Sequence, residues 1–382
     1  MWAALLHAQS SWYFLAGGLW LWLYDRALRW IRGAGFQPIA PTAVAATGCR
    51  VTAISYGLPA GSTAAVSASD AVSGERDASG GCPLRRLLPG GCCADGSGCS
   101  GGQLGQHVYL QVPEISSWEW HPFSLANRAG SDRKQLYCMA IGQSGSLSFT
   151  DRLHTRVAAG LPVSLRLDGP YGQHPLGLPA AAQHYRRLLL VAGGIGATAS
   201  IGALRTLIAE AADRLRGGGG GGGVQLSAVK LLWVGRSPAL FAALGTEAFD
   251  ELAALRQLQA QAGGGGGGRD SVFECELHCS QLGLTDWAAT QTVSSGGGFP
   301  AVQPGRPDLE AAVRSFVGLP GAALEEAAAV DAVLSWTDGA AAATDAAGRT
   351  LLSVCGPAGL SRRCGELAAK HGIHFHSENF AV

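Results

Sequence analysis

The chain has 382 residues, of which 47% are hydrophobic, and its 28 basic and 28 acidic side chains give no formal net charge. This length predicts about two domains with buried cores. The balanced charge gives no electrostatic reason to expect a nucleic-acid partner. Glycine contributes 56 residues, many of them in runs, which predicts globular domains interrupted by low-complexity segments.

An apolar and aromatic segment opens the chain. Its most apolar part runs from Trp12 to Tyr24, which is shorter than the roughly 20 residues that span a bilayer, although the preceding residues extend it. Three arginines follow at three-residue spacing: Arg26, Arg29 and Arg32. By the positive-inside rule they place the rest of the chain on the cytosolic side. We interpret residues 1–34 as a transmembrane and juxtamembrane helix, with a buried core helix as the alternative.

The ten cysteines do not form the pattern of a disulfide framework, which indicates reduced, intracellular thiols. Four of them lie in the Gly-rich stretch 61–104: Cys82, Cys92, Cys93 and Cys99. Their irregular spacing, without a nearby histidine, favours a disordered insertion over a metal site. The stretch CELHC, from Cys275 to Cys279, does not have the haem-attachment order and predicts a strand.

Residues 105–175 show the alternation of short β-strands. GQHVYLQVP places Val108, Leu110 and Val112 on one face, and QLYCMAIG and LPVSLRLDGPYG are similar. Short strands with Gly and Pro turns predict an antiparallel β-barrel domain over residues 35–182, apart from the insertion.

From residue 185 onward, apolar strands alternate with helices. RRLLLVAG, VKLLWVG and TLLSVCGP each precede a helical segment, which predicts a parallel sheet with its ligand site at the carboxyl ends of the strands. The predicted fold class is therefore α+β with two domains: the β-barrel, then a Rossmann-like α/β domain over residues 183–382, preceded by the membrane-type helix. Further insertions are expected near residues 217–223, 263–268 and 294–304.

A glycine-rich turn follows the first strand of the second domain. Its glycines let the backbone approach a pyrophosphate at the start of a helix: Gly193, Gly194 and Gly196. Thr198 is a candidate cap for this helix. The pattern predicts dinucleotide binding, and a merely tight strand-to-helix turn is the alternative.

Two arginines bear on the choice of nicotinamide cofactor. Arg236 follows the second strand, where no acid occurs, and Arg306 lies in GRPDL. A base at the ribose 2′ position selects NADP over NAD, so NADPH is favoured, unless both are solvated surface charges. At the end of another strand lie Cys355, Gly356 and Pro357. Cys355 is expected beside the nicotinamide, with a small buried residue as the alternative.

The stretch EWHPFSLAN combines two aromatic side chains, a histidine, a proline and a hydroxyl. The proline holds the preceding His121 in an extended or turn conformation, outside a helix interior. Such a stretch is typical of a surface that accepts a flat ligand.

These motifs occur in a specific order: HPFS, LDGPYG, AGGIGAT, WVGR, GRPD, CGP and HFHSENF. In that order they resemble the dehydrogenase half of the ferric reductase / NADPH oxidase family, whose fold is like ferredoxin–NADP reductase. The resemblance extends from about residue 12 to residue 382, apart from the insertions. LAGGLWLWLYDRALRWIR is similar to the last transmembrane helix of that family.

The resemblance implies roles around FAD. Pro122 belongs to the FAD signature, in which His121 faces the phosphates or ribityl chain, Phe123 packs against the flavin and the Ser124 hydroxyl approaches flavin N5. Thr150 opens the helix beneath the FAD pyrophosphate. The loop between the domains is formed by Gly169, Pro170, Tyr171 and Gly172.

The resemblance also implies roles around NADPH. The glycine turn and Thr198 bind its pyrophosphate. Phe380 covers the flavin and moves aside for the nicotinamide, and Glu378 lies close to the flavin edge. Ser124, Cys355, Glu378 and Phe380 are therefore the expected catalytic residues.

The chain departs from the family in several places. QLYCMAIG lacks the basic residue that family members often carry in that strand, and Arg152 is a candidate substitute. Ala199 stands where a proline is usual, and no lysine precedes Glu378. The haem-carrying helices with paired histidines are absent from this sequence, so we expect no haem to be held by this chain itself.

The resemblance implies a membrane-associated flavin oxidoreductase whose catalytic domains lie on the cytosolic side. It would pass electrons from NADPH through FAD to haem in a membrane partner or missing segment. The haem would then reduce a ferric chelate, which the motifs slightly favour, or oxygen. Two alternatives are a soluble ferredoxin–NADP reductase-like flavoprotein and a non-catalytic interaction subunit.

Overall fold

The fold is given by a computed structural model. The structure describes residues 11–35, 39–46, 48–57, 105–129, 131–142, 145, 147–172, 184–217, 226–262, 272–281, 299–318 and 349–378. The predicted insertion at 61–104, the Gly runs at 218–223 and 263–268, and Phe380 lie outside these residues.

Helix α1 (Ser11–Gly35) confirms that the opening segment is helical. Six consecutive apolar side chains, from Leu19 to Tyr24, are each 44–67% exposed. The predicted membrane-spanning character is not reproduced, since no helix in the described ranges is both long and apolar enough to cross a bilayer. Charged residues from Asp25 onward end the apolar run.

The described part of the β domain contains six strands and one helix. They are β1 (Thr42–Ala45), β2 (Val51–Gly57), β3 (His107–Gln111), β4 (His121–Ser124), β5 (Arg133–Met139), α2 (Phe149–Ala158) and β6 (Arg166–Tyr171). The strands form two antiparallel three-stranded sheets, in the orders β1-β2-β5 and β4-β3-β6. The three strands predicted between residues 105 and 175 are therefore confirmed.

A closed β-barrel was predicted, and in the described part of the chain the strands do not close. Strand β2 pairs with β1 and β5, whereas β3 pairs with β4 and β6, so the ladders remain separate. A single bridge between Ile39 and Leu165 lies outside them. The predicted apolar face is confirmed, because Val108, Leu110 and Val112 are buried in one core with side chains from both sheets.

The α/β domain begins with β7 (Arg187–Gly193). Its remaining elements are a 3-10 turn (Gly194–Gly196), α3 (Ala197–Leu215), β8 (Ala228–Gly235), α4 (Pro238–Ala262), β9 (Val272–Cys279), β10 (Val302–Pro304), α5 (Leu309–Val317), β11 (Thr350–Cys355), α6 (Ala358–His371) and β12 (His374–Glu378). All strands are parallel, in the order β10-β9-β8-β7-β11-β12. The predicted parallel sheet is thus confirmed.

Of two local predictions, one is confirmed and one is wrong. CELHC lies within β9, as expected. Residues 302–304, however, were assigned to an insertion and form strand β10 instead. This strand is short and ends in a proline, which suits the edge of a sheet, where one side of the strand needs no ladder donors.

Strand β7 is covered on both faces, which explains its continuous apolar sequence. Leu188 and Leu190 lie in the core cluster that contains α3 and α4. Leu189 and Val191 lie in the cluster that contains α5 and α6. The sheet is therefore sandwiched between two helical layers.

The two domains are joined by a polar network on α3. The guanidinium of Arg205, with only 12% of its side chain exposed, donates to Glu251 at 2.7 Å and lies 3.0 Å from Glu247. It also donates to Gln135 of β5, whose amide donates to Glu247. Nearby, a Cβ on Gly202 would lie 2.8 Å from the Leu125 carbonyl oxygen, so α3 approaches the β domain closely.

We expect Arg205→Ala to lower the free energy of unfolding by about 2–4 kcal/mol, because it leaves two carboxylates and an amide without their shared donor. Urea titration followed by circular dichroism measures this change. Arg216→Ala is the control, because its ion pair with Asp213 is 60–68% exposed and should contribute less than about 1 kcal/mol. Equal effects of the two substitutions would contradict the assignment.

Candidate active site

The carboxyl ends of β7 and β11 meet at the point where the strand order of the sheet reverses, which is where open α/β sheets bind ligands. A Cβ on Gly196 would lie 2.4 Å from the Cys355 carbonyl oxygen, and one on Gly193 would lie 2.6 Å from Pro357 Cδ. A Cβ on Gly356 would likewise lie 3.0 Å from the Gly193 Cα. The two motifs found separately in the sequence therefore form one structure.

Helices α3 and α6 begin at this edge of the sheet. Neither has a side-chain cap or an acidic residue in its first turn, so their amino-terminal amides suit an anion. Thr198 was expected to cap α3, but its hydroxyl donates to the Ile195 carbonyl instead. The residue at the N-cap position is Gly196.

Trp233 is a supporting residue that the sequence analysis missed. It is fully buried in β8, and its indole Nε1 donates to the Gly194 carbonyl at 2.9 Å. Gly194 itself has φ +59°, a left-handed conformation that favours glycine. The buried indole thus fixes the orientation of one peptide in the glycine turn.

Arg236 and Arg306 are both exposed and both lie at the carboxyl edge of the sheet. Arg236 directly follows β8 and Arg306 follows β10, so that β9 lies between them. Their role in selecting NADPH stays a prediction.

Glu378 and Cys355 are register partners on the parallel pair β12 and β11. Both line a small cleft with Leu190, Ala199, Ser200 and Ser353. Burial, with a further contribution from the negative charge of Glu378, raises the pKa of the Cys355 thiol to about 12. Cys355 is therefore a neutral thiol at physiological pH.

The strand carrying HPFS has two distinct faces. His121 and Phe123 lie opposite Leu110 and Val108 of β3. Phe123 packs against the apolar core, and the His121 ring stacks on Phe149 with centroids 4.4 Å apart. The flavin contacts expected of His121 and Phe123 stay predictions.

The other face of this sheet carries an aromatic cluster that the sequence analysis missed in part. Ser124 and Pro122 lie opposite His107 and Tyr109. The rings of His107, Tyr109 and Tyr171 lie with centroids 5.8–6.1 Å apart. The signal was the same alternation that placed Val108 and Leu110 inside, because it leaves His107 and Tyr109 on the opposite face.

Of the predicted interdomain loop, Gly169, Pro170 and Tyr171 lie within β6 instead, and Gly172 directly follows the strand beside His107. Gly172 has φ +82°, and a Cβ on it would lie 3.2 Å from His107 Nδ1. Gly169, which precedes the cis bond to Pro170, has φ +132°. A Cβ on Gly169 would lie 3.2 Å from the His107 carbonyl oxygen. Tyr171 donates from its hydroxyl to Asp168 at 2.6 Å, which fixes the ring.

Helix α2 begins with Ser148 as its cap, accepting from the Asp151 amide. The Thr150 hydroxyl accepts from the Ile141 amide at 3.0 Å, so it ties the end of β5 to the helix. Its predicted place beneath the FAD pyrophosphate stays a prediction.

Arg152 was the candidate substitute for the missing basic residue of β5. Its guanidinium donates to Glu119 at 2.7 Å and to the Ile115 carbonyl at 3.1 Å. The guanidinium at the start of α2 belongs to Arg50, which bonds Asp151 and the Gly142 carbonyl. Sequence reasoning missed Arg50 because it precedes β2, far away along the chain.

Glu378 also links the two domains electrostatically. Burial lowers the pKa of His107 on β3, whereas the negative charge of Glu378 opposes that shift. Glu378 itself lines the cleft beside Cys355. Phe380, two residues further on, lies outside the described residues.

The residues present fit the two cofactors implied by the sequence. The glycine turn carries no side chains that would keep a ligand from the backbone at the start of α3. Helices α3 and α6 both begin without a side-chain cap, so their amino-terminal amides suit a pyrophosphate. The cluster of His107, Tyr109 and Tyr171, whose rings are inclined to one another by 41–71°, offers aromatic contacts beside Ser124.

Comparisons with known proteins agree with this reading. Residues 102–175 match the family of FAD-binding domains. The chain is 32% identical over 134 residues to respiratory burst oxidase homolog protein E of Arabidopsis thaliana. It is 29% identical over 108 residues to ferric reduction oxidase 4 of the same plant. These matches cover 28% of this chain and only 13% and 14% of the two relatives.

Among solved structures, the chain is similar to a ferredoxin NADP+ reductase from Neisseria gonorrhoeae with bound FAD and NADP. That similarity has a TM-score of 0.48 at 10% identity and covers 89% of this chain and 98% of the other. By sequence, residues 102–175 of the β domain match an FAD-binding family, and the chain is similar to a respiratory burst oxidase homolog and a ferric reduction oxidase over the matched segments.

We expect Gly196→Ala to destabilise the protein by about 1–3 kcal/mol, because the added methyl forces the glycine turn away from the Cys355 loop. Thermal unfolding measures the effect. Gly359→Ala is the matched control, since it lies in the first turn of α6 with open space around it, and it should stabilise by about 0.4–1 kcal/mol. A neutral Gly196→Ala would show that the two loops are not in contact.

We also expect Cys355 to resist alkylation by iodoacetamide in the native protein, because only the thiolate reacts and its pKa is about 12. Peptide mass spectrometry after labelling at neutral pH measures the modified fraction. The same protein in denaturant is the control, and there Cys355 should label readily. Rapid labelling of native protein would mean that the thiol is exposed or ionised.

Proposed function

We propose that the chain is the NADPH- and FAD-binding part of an oxidoreductase that passes electrons to a one-electron acceptor. One observation carries this proposal: a β domain that matches an FAD-binding family over residues 102–175 precedes a parallel sheet whose glycine turn lies at the point where the strand order reverses. Such an arrangement would place one cofactor on each domain for hydride transfer.

FAD, when bound, supplies hydride acceptance and the release of single electrons. The protein's own residues orient the cofactors. Tyr109 and Tyr171, whose rings meet edge to face, would contact the flavin, and Ser124 would present a hydroxyl on the same face of the sheet. Cys355 and Glu378 line the cleft next to that face, where the neutral thiol excludes water without competing as a nucleophile.

The α/β domain would hold NADPH at the reversal point of its sheet. The turn from Gly193 to Gly196 and the start of α3 contact its pyrophosphate. Arg236 and Arg306 present positive charge at the same edge, where a 2′-phosphate would lie. The phenylalanine near the carboxyl terminus, Phe380, is proposed to cover the flavin.

The relatives suggest where the electrons go, since one is named a respiratory burst oxidase homolog and the other a ferric reduction oxidase. We infer that a haem-bearing membrane domain or subunit receives them and passes them to a ferric chelate or to oxygen. The exposed apolar residues of α1, from Leu19 to Tyr24, support an association with the membrane. The catalytic domains would then lie on its cytosolic side.

An anaerobic titration tests the proposal. The full chain in detergent should bind FAD, and NADPH should then bleach the visible absorbance of the bound flavin. NADH at the same concentration should bleach it more slowly. Folded protein that binds FAD but is not reduced by either nucleotide would overturn the proposed reaction.

We expect Arg236→Ala and Arg306→Ala each to raise the KM for NADPH about tenfold or more, while the KM for NADH changes little. The reason is the loss of a charge-assisted hydrogen bond of about 1.5–3 kcal/mol to the 2′-phosphate. Steady-state reduction of a ferric chelate by the two nucleotides measures this. The control is Arg362→Ala on α6, which is 79% exposed and should alter neither constant.

A further inference from the structure

Cys279 and Ser280 lie at the carboxyl end of β9, between the two loops that carry Arg236 and Arg306. Cys279 is the last residue of the strand, and Ser280 directly follows it. Strand β9 has β8 on one side and β10 on the other. In these two ladders Cys279 lies opposite the last residue of each neighbouring strand. The segment 279–280 therefore adjoins both arginine-bearing loops.

On the β8 side, this segment bonds the backbone on both sides of Arg236. The Ser280 hydroxyl donates to the Gly235 carbonyl at 3.1 Å, and the Ser280 amide donates to the same carbonyl at 2.9 Å. The thiol of Cys279, which is fully buried, donates to the Arg236 carbonyl at 3.3 Å. The peptide units before and after the Arg236 Cα are thus both held, and this fixes the direction in which the Arg236 side chain leaves the backbone.

On the β10 side, the same segment holds the residue that precedes Arg306. The Gly305 amide donates to the Cys279 carbonyl at 2.8 Å. Gly305 has φ +85°, a left-handed conformation that favours glycine. Pro307 follows Arg306 and restricts its backbone to extended conformations. Arg306 is therefore fixed from both of its neighbours.

Both arginines are exposed at this edge of the sheet. In the part of the chain that the structure describes, no carboxylate pairs with either guanidinium. An arginine without such a partner is free to bind a phosphate, whose oxygens its planar group matches. Neighbouring strands lie about 4.8 Å apart, so the ends of β8 and β10 are separated by about 10 Å across β9.

We propose that Cys279 and Ser280 are positioning residues for nucleotide selection: by bonding both loops, they hold Arg236 and Arg306 at one spacing, ready for a ribose that carries a phosphate monoester. This inference rests on the proposed function, which assigns the two arginines to the 2′-phosphate. Loops that are already ordered lose little freedom when the ligand binds, and this preorganisation raises affinity.

The first test needs no flavin and no turnover. Isothermal titration calorimetry measures the affinity of the full chain in detergent for NADP+ and for NAD+. The double variant Cys279→Ala/Ser280→Ala removes the thiol and the hydroxyl that bond the Arg236 loop. Its affinity for NADP+ should fall by about threefold to tenfold, as expected for the loss of one or two hydrogen bonds. Its affinity for NAD+ should stay unchanged.

The chain offers a matched control, Cys275→Ala/Ser227→Ala. Cys275 lies four residues before Cys279 and packs against the same core cluster. The Ser227 hydroxyl donates to the Arg186 carbonyl at 3.0 Å, at the amino edge of the sheet. This variant loses the same two groups away from the arginines and should keep the natural affinity for NADP+. An equal loss of affinity in the two double variants would overturn the positioning role.

A conservative variant provides the rescue. Cys279→Ser/Ser280→Thr keeps one side-chain donor for each of the two carbonyls, so it should bind NADP+ as the natural chain does. Weak NADP+ binding that this variant does not restore would also contradict the inference, because the loss would then come from packing.

The second test separates positioning from general damage. Steady-state reduction of a ferric chelate is measured with NADPH and with NADH. In Cys279→Ala/Ser280→Ala the KM for NADPH should rise in proportion to the lost affinity, whereas kcat and the KM for NADH should not change. A lower kcat with both nucleotides would indicate structural damage and overturn the assignment.

The arginine variants distinguish this inference from the proposed function. NADP+ binding that is weakened by Arg236→Ala and Arg306→Ala, but not by Cys279→Ala/Ser280→Ala, would overturn the positioning role and leave the proposed function intact. Equal affinity of the natural chain for NADP+ and NAD+ would overturn both, because no 2′-phosphate would then be recognised.

Discussion

The backbone of the Gly193–Gly196 turn lies against the Cys355–Pro357 loop so closely that no side chain fits between them. This contact fixes the distance between β7 and β11 at their carboxyl ends, where the sheet order reverses. It also sets where α3 and α6 begin, and hence where their unpaired amides point. The Trp233 indole restricts the conformation of the turn further by donating a hydrogen bond to the Gly194 carbonyl.

The position of the β domain follows from the same turn, because α3 continues directly from it. Gly202 lets this helix approach the Leu125 carbonyl, and Arg205, one turn later, binds Gln135 of β5. The strand that carries Ser124 is therefore placed by the helix that begins at the nucleotide turn. The single helix α3 therefore positions both the glycine turn and the strand that carries Ser124. Holding two reacting cofactors at a fixed relative position in this way would raise the rate of their reaction.

Sequence patterns predicted the parallel sheet, the strands from His107 to Tyr171 and the glycine turn, because each depends on local periodicity or on backbone requirements. They did not predict the separate three-stranded sheets, since strand pairing between β2 and β5 depends on long-range contacts. Arg50 and His107 were missed for a related reason. Both act on elements far from them along the chain, and only the fold brings them there.

The arrangement of elements also gives the site two different sides. The proposed nucleotide site lies at the carboxyl edge of the sheet around Gly193, whereas α1 contacts β6, the strand that ends at Tyr171. A hydride donor and an electron acceptor would therefore approach the aromatic face from different directions. Separate approaches let a flavin receive electrons in pairs on one side and release them singly on the other. At this site burial raises the pKa of the Cys355 thiol to about 12 and lowers the pKa of the His107 imidazole.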